Sequence, residues 1–135
     1  MAEIFDALKQ KIINSYGRLL KTGSHRFTKV YALDEPGPGG ANHEYAITWD
    51  EEQPRGIAGI VVVFQKGPVK EAEVNGCFME DLISICIDRL EAFQRNDFKC
   101  IENAMALDGL KSALHSLDLR TKDRQHRDVE GYMEP

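Results

Sequence analysis

The chain has little that could staple, anchor or catalyse. Its 135 residues include three cysteines, Cys77, Cys86 and Cys100, an odd set without CxxC spacing. That argues against a disulfide framework or a thiolate zinc site and fits a reducing compartment. The longest apolar run is IVVVF, far short of the roughly 18 residues a membrane span needs. The first residues, MAEIFDALKQK, carry early acidic groups and no small-residue cleavage site, unlike a signal peptide. The four histidines, His25, His43, His115 and His126, are scattered without HExxH spacing, so no metal site is expected. DEPGPGGAN lacks the GK[ST] ending of a phosphate loop, and no GxSxG occurs. Asp81 and Asp88 on one helix read as surface solvation. Positive charge is short as well: 17 Lys and Arg stand against 22 Asp and Glu, a net charge of −5. A sequence-independent binder of DNA or RNA needs a basic face instead. No enzyme, no cofactor and a cytoplasmic location are the expectations that remain.

What is present is one ordinary globular composition, 42% apolar and 29% charged, predicting a single domain over 1–135 of α+β class. Phe5, Leu8, Ile12, Tyr16 and Leu19 recur at helical spacing, so an N-terminal amphipathic helix is expected over 3–21, within a segment 1–22 closed by Thr22-Gly23. From 25 to 74 the period becomes two. RFTKVYAL, HEYAITW and the apolar IAGIVVVFQ predict an antiparallel sheet of three strands, the third more fully buried than the others; PVKEAEV would make a fourth. DEPGPGGAN is a wide loop with several residues at positive φ, and DEEQPRG is an acidic turn. A helical hairpin is expected over 77–127. One stripe is Leu82, Ile85/Cys86, Leu90 and Phe93; the other is Ile101, Ala104, Leu107, Leu110, Leu114 and Leu117. Arg95-Asn96-Asp97 breaks them, with Asn or Asp available as N-cap. Gly109 costs about 1 kcal/mol inside a helix and is tolerable where another helix approaches closely.

The charge is uneven. RTKDRQHR, residues 120–127, holds four Lys/Arg against one Asp. A helix C-terminus accounts for one or two such cations. The remainder call for an anionic ligand, and a phosphorylated nucleotide is the first candidate.

VNG followed by IDRLEAFQ, then CIENAMAL, then RTKDRxxRDVEG, resembles the hairpin domain shared by the Thoeris anti-defence and anti-CBASS sponges of phages. LDEPGPGGANHEYAI and VVFQKGPVKE are similar to the sheet portion of the Thoeris type, and the likeness covers roughly residues 28 to 131. The resemblance implies a non-catalytic, oligomeric protein, a dimer or a trimer of dimers. Such a protein sequesters glycocyclic ADP-ribose (gcADPR) made by TIR-domain sensors, and in some members cyclic di- or trinucleotides at a second site. It places the ligand contacts on Phe93, Asn103, Arg120 and Arg124. Phe93 can stack a base, Asn103 can read a base edge or a ribose, and Arg120 and Arg124 share a helix face. Arg127 could assist one turn on, and the glycine loop with Asn42 and His43 could complete the pocket. Phe78 stands where the family often has a threonine near the helix start, leaving that start without a side-chain cap.

Asn103 and Arg120 are 17 residues apart on one expected helix, about 25 Å at 1.5 Å per residue. One small ligand touching both therefore needs two antiparallel copies, and an isolated monomer should not bind. A sponge for cyclic di- or trinucleotides, a phosphodiesterase and a protein that docks RTKDRQHR on an acidic partner are the competing readings.

Overall fold

The computed structural model describes residues 17–23, 26–49 and 58–135. The chain divides into two compact units, one running to Gly67 and including Val74–Gly76, the other made of Pro68–Glu73 and Cys77–Pro135.

The first unit is a four-stranded antiparallel sheet in the order β1 (Arg18–Leu19), β2 (Lys29–Ala32), β3 (Glu44–Trp49) and β4 (Ala58–Val63). Val30 lies opposite Ile47 and Tyr31 opposite Ala46, while Glu44 and Trp49 face Val63 and Ala58. Ala32, Leu33 and Ala46 are buried, with Tyr31 and Val61 packed against them. Gly59 is required by close packing: a Cβ there would lie 2.3 Å from the Ile47 carbonyl oxygen. The proline- and glycine-rich loop closes through a 3-10 turn at Pro38–Gly40, with Gly39 and Gly40 at φ of 79° and 80°, as its composition led us to expect.

Several expectations for this half need correction. The fourth strand is Arg18–Leu19, and Leu20 extends its pairing by donating to the Val30 carbonyl at 2.9 Å. The tail of the expected helix 3–21 is therefore extended; its earlier residues lie outside the described ones, as does the DEEQPRG turn. PVKEAEV instead forms the short helix α1 (Val69–Ala72). Pro68 supplies a ready helix entry, and Glu73 at φ 61° ends the turn. IAGIVVVFQ is not more fully buried than the other strands. β4 is an edge strand, and Ile60 and Val63 are exposed.

The second unit contains the helical hairpin, α2 (Met79–Gln94) and α3 (Ile101–His126). The α3 stripe of Ala104, Leu107, Leu110, Leu114 and Leu117 is half-buried, but Ile101 is exposed. On α2 the half-buried positions include Leu82, Ile83, Ile87, Leu90 and Phe93, whereas Ile85 and Cys86 face solvent. Glu91 and Lys111 form a 3.6 Å ion pair between the helices. The turn is pinned by Gln94, whose amide donates to the Cys100 carbonyl and accepts from the Cys100 N–H, both at 3.1 Å.

Capping also differs from the expectation. Asn96 serves the turn by donating to the Ala92 carbonyl and accepting from the Phe98 N–H. The α3 N-cap is Cys100, whose sulfur accepts from the Asn103 N–H at 3.4 Å. At α2, Phe78 caps with no side chain, but Asp81 accepts from the Phe78 N–H at 2.9 Å. That half of a capping box suffices to start the helix. Helix α3 ends in a Schellman motif: Val129 donates to Arg124 and Asp128 to Gln125, with Asp128 at φ 57°.

Candidate functional site

In the hairpin unit, Phe93 is the penultimate residue of α2 and Asn103 the third of α3, so both lie beside the turn. The Arg89 guanidinium sits 5.6 Å from the Phe93 ring centroid, a cation–π arrangement on an aromatic expected to stack. The Asn103 side-chain amide donates to the Phe98 carbonyl at 3.3 Å. Its carbonyl oxygen has no partner among the described residues.

At the other end of α3 the cations behave differently from one another. Lys122 pairs with Asp118 and Arg127 with Asp123, each at 3.0 Å and one turn apart. Arg127 also donates to the Pro135 carbonyl at 3.0 Å; the helix stops at His126, leaving Arg127 as its C-cap. Arg124 donates to the carbonyls of Val129 (3.0 Å), Tyr132 (2.8 Å) and Glu134. Arg120 is exposed and makes no hydrogen bond or ion pair among the described residues. As an unpaired guanidinium flanked by paired ones, Arg120 is free to take an external anion.

Helix α3 is one continuous element from Ile101 to His126. The structure thus brings Phe93 and Asn103 to the turn and leaves Arg120 and Arg124 about 25 Å or more away along the same helix.

The sheet unit has its own candidate. Asp34 organises it by accepting from the N–H groups of His43 (3.1 Å to each oxygen) and Glu44 (3.2 Å), and from the Asn42 side-chain amide. Burial pushes the Asp34 carboxyl up. The Glu44 and His43 N–H groups and the Asn42 amide outweigh that and hold it below its ordinary value of 3.8. Asn42 also donates to the Asp34 carbonyl and accepts from Arg18 at 3.0 Å. An open polar cavity of about 460 Å³ is lined by Gly17, Arg18, Asp34, Glu35, Pro36, Gly40 and Asn42. His43 is 7% exposed and lies against Gly37, with Nδ1 buried and without a partner among the described residues.

The sequence reading passed over Asp34, Arg89 and Asn75. Asp34 opens a Pro/Gly loop, which is the position where an Asp side chain caps a turn, so a signal existed. Asn75 substitutes for a strand: its side chain accepts from and donates to the Lys66 backbone at 2.8 Å, and its own N–H donates to the Gln65 side-chain oxygen at 2.8 Å. Nothing local foretells that pairing.

Among the described residues, no group of three or more His, Cys, Asp or Glu side chains could hold a metal ion. No described helix is long and apolar enough to cross a membrane.

Residues 57–122 match the family described as Acb2/Tad1, hairpin domain, a span that includes Phe93, Asn103 and Arg120 and stops short of Arg124. A protein of Bacillus phage SBSphiJ7, Thoeris anti-defense 1, is 51% identical over 70 residues, covering 52% of this chain and 49% of that protein. The match thus spans about half the length of that relative.

Proposed function

We propose, from the match of residues 57–122 to the Acb2/Tad1 hairpin domain and the likeness to a Thoeris anti-defence protein, that this protein is a non-catalytic phage sponge. It captures glycocyclic ADP-ribose signals made by TIR-domain proteins in the cytoplasm of the infected cell and so keeps the Thoeris effector inactive. Competing with a receptor calls for roughly nanomolar affinity, about −12 kcal/mol. A stacked base, an amide contact and charge-assisted phosphate contacts in a closed pocket are the sources.

The unpaired guanidinium of Arg120, far along α3 from Asn103 and from the turn beside which Phe93 lies, is the observation that carries this reading. A pyrophosphate held by Arg120 and Arg124 of one copy meets the Phe93 and Asn103 of an antiparallel mate, giving two equivalent pockets per pair. The outer face of α3 suits such a mate. Ile101, Met105 and Leu119 are 74%, 68% and 52% exposed and lie opposite the half-buried stripe. Between them a Cβ on Gly109 would meet no atom within 4 Å. The close helix approach that a mid-helix glycine suggests is thus not made within the described chain, and a second copy supplies it. Exposed apolar side chains around small residues are what a helix–helix contact buries.

The test mixes purified protein with gcADPR and a panel of cyclic di- and trinucleotides, measures which ligand is depleted, and then heats the complex. Stoichiometric depletion of gcADPR, followed by recovery of intact ligand, supports sequestration. Recovery of a hydrolysed product would instead make the protein a phosphodiesterase, and depletion of the cyclic oligonucleotides alone would reassign the signal. Arg120→Ala should abolish capture with the melting temperature unchanged; no depletion by the wild type at all would leave docking on an acidic partner.

A further inference from the structure

Arg124 cannot grip a phosphate in two-pronged fashion while the residues that follow its helix are docked on it. Both hydrogens of Nη2 are used, by the carbonyls of Val129 at 3.0 Å and Tyr132 at 2.8 Å, and Nη1 donates to the Glu134 carbonyl. Nη2 belongs to both edges of a guanidinium that can bind an oxyanion in two-pronged fashion, one edge with Nη1 and the other with Nε. With Nη2 saturated, neither edge is free.

The segment doing this is held by more than Arg124. Gly131 accepts from the Lys70 N–H at 3.1 Å, and the Lys70 ammonium lies 5.4 Å from the Tyr132 ring centroid. Gly131 itself has φ +81°, and a Cβ on it would come within 2.8 Å of the Lys70 side chain. The Schellman turn at Asp128 reverses the chain so that residues 129–134 fold back onto the arginine.

We propose that residues 129–134 form a strap that competes with the anionic ligand for Arg124 and is released when the ligand binds. This rests on the sponge reading for the identity of the ligand, though not for the competition itself. Neutral carbonyls make weaker hydrogen bonds to a guanidinium than phosphate oxygens do, so the exchange favours a bound pyrophosphate. With the ligand absent, the strap occupies the donors of a cation that would otherwise attract any phosphate. Affinity is lowered by the fraction of time the strap is docked, and poorly matched anions, which gain less from the exchange, are penalised most.

Two measurements on the full chain decide it. Gly131→Ala loosens the strap and leaves Arg124 intact; with an unchanged melting temperature it should bind gcADPR at least about threefold tighter, through faster association. Hydrogen exchange at the Lys70 and Tyr132 amides should accelerate when the wild type is saturated with gcADPR or with inorganic pyrophosphate. Weaker binding by Gly131→Ala, or exchange at those amides that slows or stays the same, would overturn the strap and make the segment a fixed support for Arg124. If the wild type takes up no gcADPR, the sponge reading falls by itself, and the strap is judged on the pyrophosphate exchange alone.

Discussion

Arg120 and Arg124 are one helical turn apart and of one residue type, yet their surroundings separate them: the first has no partner among the described residues, the second holds three carbonyls. Spacing alone made them a matched pair in the sequence. Only the fold-back of residues 129–134, a tertiary event set by a left-handed Asp128, distinguishes them. Asp128 at φ 57° pays the strain of a side chain in a region glycine occupies freely, about 1 kcal/mol. Asp128→Gly should therefore raise unfolding stability by up to about 1 kcal/mol in urea denaturation; a decrease would mean the Asp side chain supports the turn. Asp34 gives a pH signature. Its folded-state pKa lies below the ordinary 3.8, so its contribution to stability is fully present above that value and lost as pH falls through the lowered one. Melting temperature should drop across that acid window in the wild type. Asp34→Ala should be less stable at neutral pH and should flatten that part of the profile; an unchanged profile would remove Asp34 from its role as organiser of the loop.

Among the elements, the hairpin was the most legible, because two long stripes at period 3.6 survive any detail of capping. The α3 stripe was right from Ala104 to Leu117, and the loop of prolines and glycines behaved as its composition required. Errors came where short segments were judged by pattern. PVKEAEV alternates enough to look like a strand, but Lys, Glu and Ala after a proline favour a helical turn. IAGIVVVFQ reads as the more buried strand because its apolar run carries no sign of which sheet edge it occupies. Leu19 continued a helical stripe in sequence but sits in β1, where pairing with Tyr31 of β2 overrides local propensity. Ile85 and Ile101 were read as hairpin interior, and both are exposed. Apolar residues on two sides of α3 signal a second partner for that helix, which a single-chain reading assigns to one core. Met105→Asp on the outer face should shift the protein to monomer in analytical ultracentrifugation with the hairpin's helicity retained. A mutant that stays oligomeric would move the contact elsewhere.

For the whole molecule, the site residues carried over from the family resemblance cannot all serve one ligand from one chain, and the length of α3 is the reason. A rigid helix of 26 residues spans about 39 Å, more than a dinucleotide-sized guest can bridge. On the proposed reading, function depends on assembly, with each pocket drawing on two copies. Mixing two inactive variants tests this most directly. Asn103→Ala and Arg120→Ala homo-oligomers should each fail to deplete gcADPR. After co-refolding, random pairing makes half of the dimers mixed, and each mixed dimer regains one intact pocket, so about a quarter of the wild-type capacity should return. Full inactivity of the mixture, with mixed dimers demonstrated by mass spectrometry, would contradict the shared pocket and confine the ligand to a single chain.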